Sequence, residues 1–221
     1  TSFQINNGAA YTTSNSILLS YSISWSSTTN RTVCFRNDGE SGYTCDGYYN
    51  FTSLYWYLTN LDGTRSVEIS ACDAVGCAFT SDSIILDRSA PSTTANYTGT
   101  SGQNGWYVSN VKVTLTPSDA TSGVDKPYYG INTFPSNTYT GPFDATQEGN
   151  LTLYYYSTDK AGNQEGQKST GFNIDKTKPS TPGLQPVDPC IGDVLKISAA
   201  SSDAHSGIWY YTLIQASDVN L

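Results

Sequence analysis

Three unrelated markers in this chain recur at nearly one spacing, and that spacing limits what it can fold into. Residues 82–91 read DSIILDRSAP and residues 170–179 read TGFNIDKTKP, which sets Asp87 and Asp175 88 positions apart. Ser118-Asp119-Ala120-Thr121-Ser122-Gly123-Val124 returns 84 positions later as Ser202-Asp203-Ala204-His205-Ser206-Gly207-Ile208. Asp73-Ala74-Val75-Gly76-Cys77 returns 86 positions later as Asp159-Lys160-Ala161-Gly162-Asn163. A period of this length exceeds the roughly 20–50 residues of a solenoid repeat and matches a complete small domain. The chain therefore reads as domains in series: residues 1–88, residues 89–177, and the beginning of a third over 178–221. The third repeat starts near Pro179 and passes its Ser-Asp-Ala-x-Ser-Gly marker. It reaches Leu221 before a second marker, so the expectation is a piece of a longer chain.

Within each repeat the apolar residues alternate. Val111, Val113 and Leu115 interleave with Lys112, Thr114 and Thr116, and Leu151, Leu153 and Tyr155 interleave with Thr152, Tyr154 and Tyr156. Val67, Ile69 and Ala71 take this part in the first repeat, after the turn at Asp62-Gly63. Period two is the signature of a half-buried strand, and no stretch sustains a helical period. Short strands divided by Gly, Asn and Asp clusters, in units of about 85 residues, predict an all-β chain of sandwiches.

Charge and cysteine usage narrow the setting. Only 14% of residues are charged and the net charge is −8. Phosphate backbones are bound by clustered Lys and Arg, so a nucleic-acid partner is not expected. No apolar run approaches the roughly 20 residues of a membrane span, and no signal-peptide pattern opens the chain. Cys72 and Cys77 flank a four-residue turn, and Cys34 and Cys45 bracket another short excursion. Spacing leaves a Cys34–Cys72 pairing open as well, and Cys190 is left over. Zinc is the competing use of these cysteines, but no His accompanies them and the spacings are not those of paired CxxC motifs. Disulfides are the favoured reading, and they imply an oxidising compartment or an extreme thermophile.

The segments DGTRSVEISACDAVGC, LYYYSTDKAGN, ILDRSAP and FNIDKTKP resemble the tandem immunoglobulin-like repeats of bacterial and archaeal secreted and cell-surface proteins. The resemblance runs over nearly all of residues 1–179. It implies immunoglobulin-like β-sandwiches arranged end to end, an extracellular location, and a non-catalytic structural part in a surface layer, stalk or filament. Self-association or contact with other surface proteins follows from that part. The alternatives it implies are an adhesin or carbohydrate-binding module using exposed aromatic rings, and accessory domains of a secreted hydrolase. Cys77 stands where the repeats carry Asn, so a disulfide is expected in place of that turn's side-chain hydrogen bonds.

In such a sandwich the B–C and F–G loops gather at one end, where the incoming chain also arrives. Asp119 falls in the first loop, Asp159 in the second and Asp87 in the linker, so the three carboxylates are expected to converge at a junction. A hard cation such as calcium takes six to eight oxygens and would suit them. The simpler use of each Asp is to cap its own turn. Asp175 and Asp203 are expected to repeat the arrangement.

Four glycosylation sequons begin at Asn30, Asn50, Asn96 and Asn150, and an exported β-protein displays such sites on its surface. Aromatic runs at Tyr55-Trp56-Tyr57, Tyr128-Tyr129, Tyr154-Tyr155-Tyr156 and Trp209-Tyr210-Tyr211 place rings on both faces of their strands. The inward rings are core, and the outward ones could stack on sugars or contact a neighbour. No motif marks a nucleophile or an acid–base pair. The single histidine, His205, sits in a turn-like Ala-His-Ser-Gly.

Overall fold

A computed structural model describes residues 2–47, 52–186 and 197–208. The sequon asparagine Asn50, the unmatched Cys190 and the run Trp209–Tyr211 lie outside the described residues.

The first module strings eight strands: β1 (Ser2–Ile5), β2 (Tyr11–Thr12), β3 (Ser16–Ser22), β4 (Thr32–Asn37), β5 (Thr44–Gly47), β6 (Ser53–Tyr57), β7 (Gly63–Cys72) and β8 (Cys77–Leu86). They form a three-stranded sheet, β1-β3-β6, and a five-stranded sheet, β2-β8-β7-β4-β5. The second module repeats the plan strand for strand. Its members are β9 (Ser92–Thr98), β10 (Trp106–Tyr107), β11 (Val111–Ser118), β12 (Val124–Ile131), β13 (Asn137–Thr138), β14 (Phe143–Ala145), β15 (Gly149–Asp159) and β16 (Lys168–Ile174). The sheets are β9-β11-β14 and β10-β16-β15-β12-β13. In both modules the last strand takes a short parallel partner, β2 on β8 and β10 on β16, while the longer neighbours pair antiparallel. A third antiparallel pair, β17 (Gly183–Pro186) with β18 (Ile197–Ala200), follows.

The alternation read from the sequence is what closes each sandwich. Ile5, Ile17 and Leu19 of the small sheet meet Val33, Phe35, Val67, Ile69, Ile84 and Leu86 of the large one. In the second module Val111, Val113 and Leu115 meet Leu151, Leu153, Tyr155, Phe172 and Ile174. Each fully buried aliphatic or Phe side chain contributes about 1.5–3 kcal/mol relative to exposure. Two separate cores of this kind make tandem immunoglobulin-like β-sandwiches.

Register settles the cysteines. Cys34 lies directly opposite Cys45, and Cys72 opposite Cys77, each pair with its Cα atoms 4.0 Å apart and bonded. The Cys34–Cys72 alternative fails because Cys34 faces Ser70 on β7, while Cys72 faces Thr32.

The aromatic triplets split as period two requires. Trp56 turns inward against Phe35, with ring centroids 5.6 Å apart, and gives its indole N–H to Asn37 Oδ1. Its neighbours Tyr55 and Tyr57 stay 75% and 68% exposed. In the second module Tyr155 is buried, while Tyr128 and Tyr156 stack across strands β12 and β15 at 5.0 Å.

Candidate functional site: the junctions between modules

Asp87 is the first residue after β8, and it is wholly buried. Its N–H donates to Thr12 O at 2.9 Å, which fixes where the chain leaves the first module. One carboxylate oxygen then accepts the N–H of Ser89 at 3.1 Å, turning the linker. The other accepts the N–H of Ser122 at 2.9 Å, in the β11–β12 loop of the next module. The backbone carbonyl of Asp87 takes the side-chain amide of Asn163 at 3.0 Å, from the β15–β16 loop. One residue thus ties the end of one sandwich to both loops at the top of the next.

Those two loops are closed by their own aspartates. Asp119 Oδ1 accepts from Thr121 N at 3.1 Å and Gly123 N at 2.7 Å, and Gly123 sits at φ +80°, a left-handed conformation that glycine adopts without strain. Asp159 Oδ1 accepts from Gly162 N at 2.7 Å and Asn163 N at 2.8 Å, while its Oδ2 takes Asn163 Nδ2 at 2.8 Å. The turn-capping use of these residues is therefore observed. So is their approach: one oxygen of each of Asp87, Asp119 and Asp159 falls within 4.8 Å of the others. Among the described residues no Lys or Arg ion-pairs with any of the three. An all-oxygen cluster, two members of which are buried, has the donor chemistry of a calcium site.

The second junction repeats the linker and incoming-loop bonds of the first. Asp175, also buried, donates its N–H to Tyr107 O at 2.8 Å, accepts Thr177 N at 3.1 Å and accepts Ser206 N at 2.9 Å. Asp203 closes the incoming loop through His205 N at 3.0 Å and Gly207 N at 2.8 Å, with Gly207 at φ +78°. The metal-type grouping differs, however. Asp175 approaches Glu148 and His205, whereas Asp203 stays with its own loop.

Sequence reasoning missed a further acid at each junction. Asp62, just before β7, accepts Arg88 N at 3.3 Å and Ser89 Oγ at 3.0 Å. Glu148, just before β15 and 86 positions later, accepts Lys176 N at 3.2 Å and Thr177 Oγ1 at 2.8 Å. The basic side chains close the same seam: Arg88 reaches Asp62 Oδ1 at 2.8 Å and Asn60 O at 3.2 Å, and Lys176 reaches Thr146 O at 2.8 Å. The signal was present, because Asp62 and Glu148 obey the period of the other markers.

The side-chain hydrogen bond from Arg88 holds the Asp62 carboxyl below the ordinary carboxylate range. Burial pushes Asp175 upward, but hydrogen bonds from Ser206 and Thr177 and the nearby His205 charge outweigh it, and the net direction is down. In the first module Asp73, the counterpart of Asp159, is likewise lowered, first by the N–H of Val75. Its Oδ2 accepts Ser26 N at 2.8 Å and Ser27 N at 2.7 Å, so it ties the two top loops directly.

The remaining candidate residues are dispersed. Asn30 lies at φ +56° in the loop before β4, Asn96 on the edge strand β9, and Asn150 on β15, each exposed. No helix among the described residues is long and apolar enough to cross a membrane.

The chain matches no protein-family model and no curated protein sequence. Among solved structures it is similar to the fibronectin(III)-like modules of Clostridium thermocellum CbhA, at 13% identity and a TM-score of 0.42, over 78% of this chain and 94% of that one. It is also similar to the FN1–FN3 domains of chicken CNTN1, at 11% identity and a TM-score of 0.32, over 77% and 66% of the two chains. The central fibronectin-III array of RIM-binding protein aligns at 11% identity and a TM-score of 0.28, over 84% and 73%.

Proposed function

We propose that this chain is a non-catalytic structural component of an extracellular assembly, a stalk, sheath or filament built from immunoglobulin-like modules held at fixed mutual orientation. The modules are residues 1–88, 89–177 and 178 onward. The observation that carries the reading is the repetition of the junction: the linker aspartate, the capped loop and the second acid recur with matching partners, and a basic residue follows the aspartate in both. A flexible tether needs none of these bonds, and inter-domain mobility is the default where the interface is small. Two disulfides support an oxidising exterior, and surface glycans on Asn30, Asn96 and Asn150 belong to the same setting, with Asn50 as the fourth acceptor. Calcium on Asp87, Asp119 and Asp159 would stiffen the first junction further.

Small-angle scattering on the whole chain tests the reading. A rigid string gives one narrow distance distribution, which broadens when Asp87 and Asp175 are both changed to Ala. A wild-type profile already requiring a broad ensemble overturns it. Cryo-microscopy of native material then shows whether copies pack into a regular polymer.

A second reading rests on the outward rings. Tyr55 and Tyr57 project from edge strand β6, and Tyr128 and Tyr156 form a stacked pair on the outer face of the second module. Such surfaces suit sugar stacking in an adhesin or a hydrolase-associated module. Saturable binding on a glycan array, lost in Tyr55→Ala with Tyr57→Ala or in Tyr156→Ala, would favour recognition over scaffold.

A further inference from the structure

We propose that the second junction binds a zinc-class divalent cation on Glu148, Asp175 and His205, a site the first junction does not have. One donor atom from each of the three lies within 4.8 Å of the other two. They come from three separate places: the entry to β15, the linker after β16, and the loop after β18. His205 Nδ1 stands 3.8 Å from Glu148 Oε2.

The contrast between the two junctions points to the ligand. In the first, the corresponding positions are Asp62, Asp87 and Thr121, so no nitrogen donor is present, and Asp62 is neutralised by Arg88 at 2.8 Å. In the second, the counterpart of Arg88 is Lys176, and its ammonium points away to Asn110 Oδ1 at 3.0 Å and Thr146 O at 2.8 Å. Among the described residues neither Glu148 nor Asp175 has a Lys or Arg ion-pair partner. The two acids thus have no Lys or Arg ion pair to compete with a cation among the described residues, and the chain's only histidine replaces the threonine beside them.

The donor set selects the metal. An imidazole with two carboxylates suits zinc, which is content with three protein ligands and a water. Calcium wants six to eight oxygens and gains little from a nitrogen. Tetrahedral zinc with bonds of about 2.0–2.1 Å spaces its donors about 3.3 Å apart, against 3.8 Å between His205 Nδ1 and Glu148 Oε2 and at most 4.8 Å within the group.

The outer shell is already built. Thr177 gives its hydroxyl to Glu148 and its N–H to Asp175, and Ser206 N holds the second oxygen of Asp175. Partners of that kind orient metal ligands. His205 is itself positioned by the Trp106 ring, 6.3 Å away between centroids, and its Cδ2 lies 3.8 Å from where a Cβ on Gly149 would stand. A metal there would bind the junction only when the third repeat is docked, and so would stabilise docking by linkage.

The test is zinc titration of the whole chain by calorimetry near pH 7, with cobalt absorption as a coordination probe. One equivalent is expected, with tetrahedral-type cobalt bands. His205→Thr installs the residue of the first junction, so the loop has a folded precedent, and it should abolish the bands. Glu148→Gln should weaken zinc by at least the roughly 10–100-fold that loss of an outer-shell partner costs. Asp125→Asn, on the exposed face of β12 and outside both junctions, should leave binding unchanged. No zinc uptake, uptake unaltered by His205→Thr, or full displacement by equimolar calcium would each overturn the proposal. None of these readouts depends on whether the chain polymerises.

Discussion

Asp87 shows how much can rest on one side chain. Removing its carboxylate leaves the buried N–H of Ser122 and the N–H of Ser89 without acceptors, and an unsatisfied buried donor costs about 1–3 kcal/mol. Asp87→Ala should therefore destabilise the second module by about that much in chemical denaturation, although the residue lies in the linker. Acid should act on the same groups. Asp62 and Asp175 have carboxyls lowered in the folded chain, whereas unfolded Asp titrates near about 3.9. A depressed folded value means that the contribution is intact above about pH 4 and is lost as pH falls through the folded value. Thermal midpoints should stay level from about pH 8 to 5 and drop below about 4; a drop centred near neutrality would contradict this. The convergence of Asp87, Asp119 and Asp159 was legible in the sequence because strand order dictates which loops share an end. Asp62 and Glu148 showed only their shared period, since an acid before a glycine turn looks like any solvated turn residue until its partner's position is known.

At the level of strands, alternation revealed the long central members and hid the short ones. β2, β10 and β13 have two residues each, too few to show a period, yet β2 and β10 set where each linker departs. Connectivity of the cysteines was equally hidden, because only register shows that Cys34 opposes Cys45. Closing loops this short stabilises by about 2–3 kcal/mol each in the chain-entropy account. Reduction should thus lower the unfolding transition of the first module and leave that of the second, which contains no cysteine, in place. Strand β12 makes a sharper prediction. A Cβ on Gly130 would stand 2.6 Å from Phe134 O and 2.7 Å from Thr133 O, whereas one on Gly171 would meet only Leu151 O at 3.6 Å. Gly130→Ala must displace the loop that crosses it and should lower the melting temperature clearly. Gly171→Ala should change it little.

For the molecule as a whole, the two junctions are the decisive feature, since each draws only on the end of one module, the linker and the loops at the near end of the next. Changing Asp62 and Asp87 together to Ala should free the first junction while the core of the first module, closed by Ile5, Ile17, Leu19 and their partners, keeps its stability. Relaxation measurements would then report independent tumbling of the modules, and a single correlation time would count against the assignment. The repeat of 84 to 88 residues was plain in the sequence, and so was the return of the junction aspartates, but their partners were not, because these are backbone N–H groups that carry no sequence signature. One consequence concerns inheritance. Under the rigid reading proposed above, reach becomes a matter of counting: duplicating or deleting one repeat in register would lengthen or shorten the chain by one step and turn its heading by one angle. Such a gene would be graduated like a ruler.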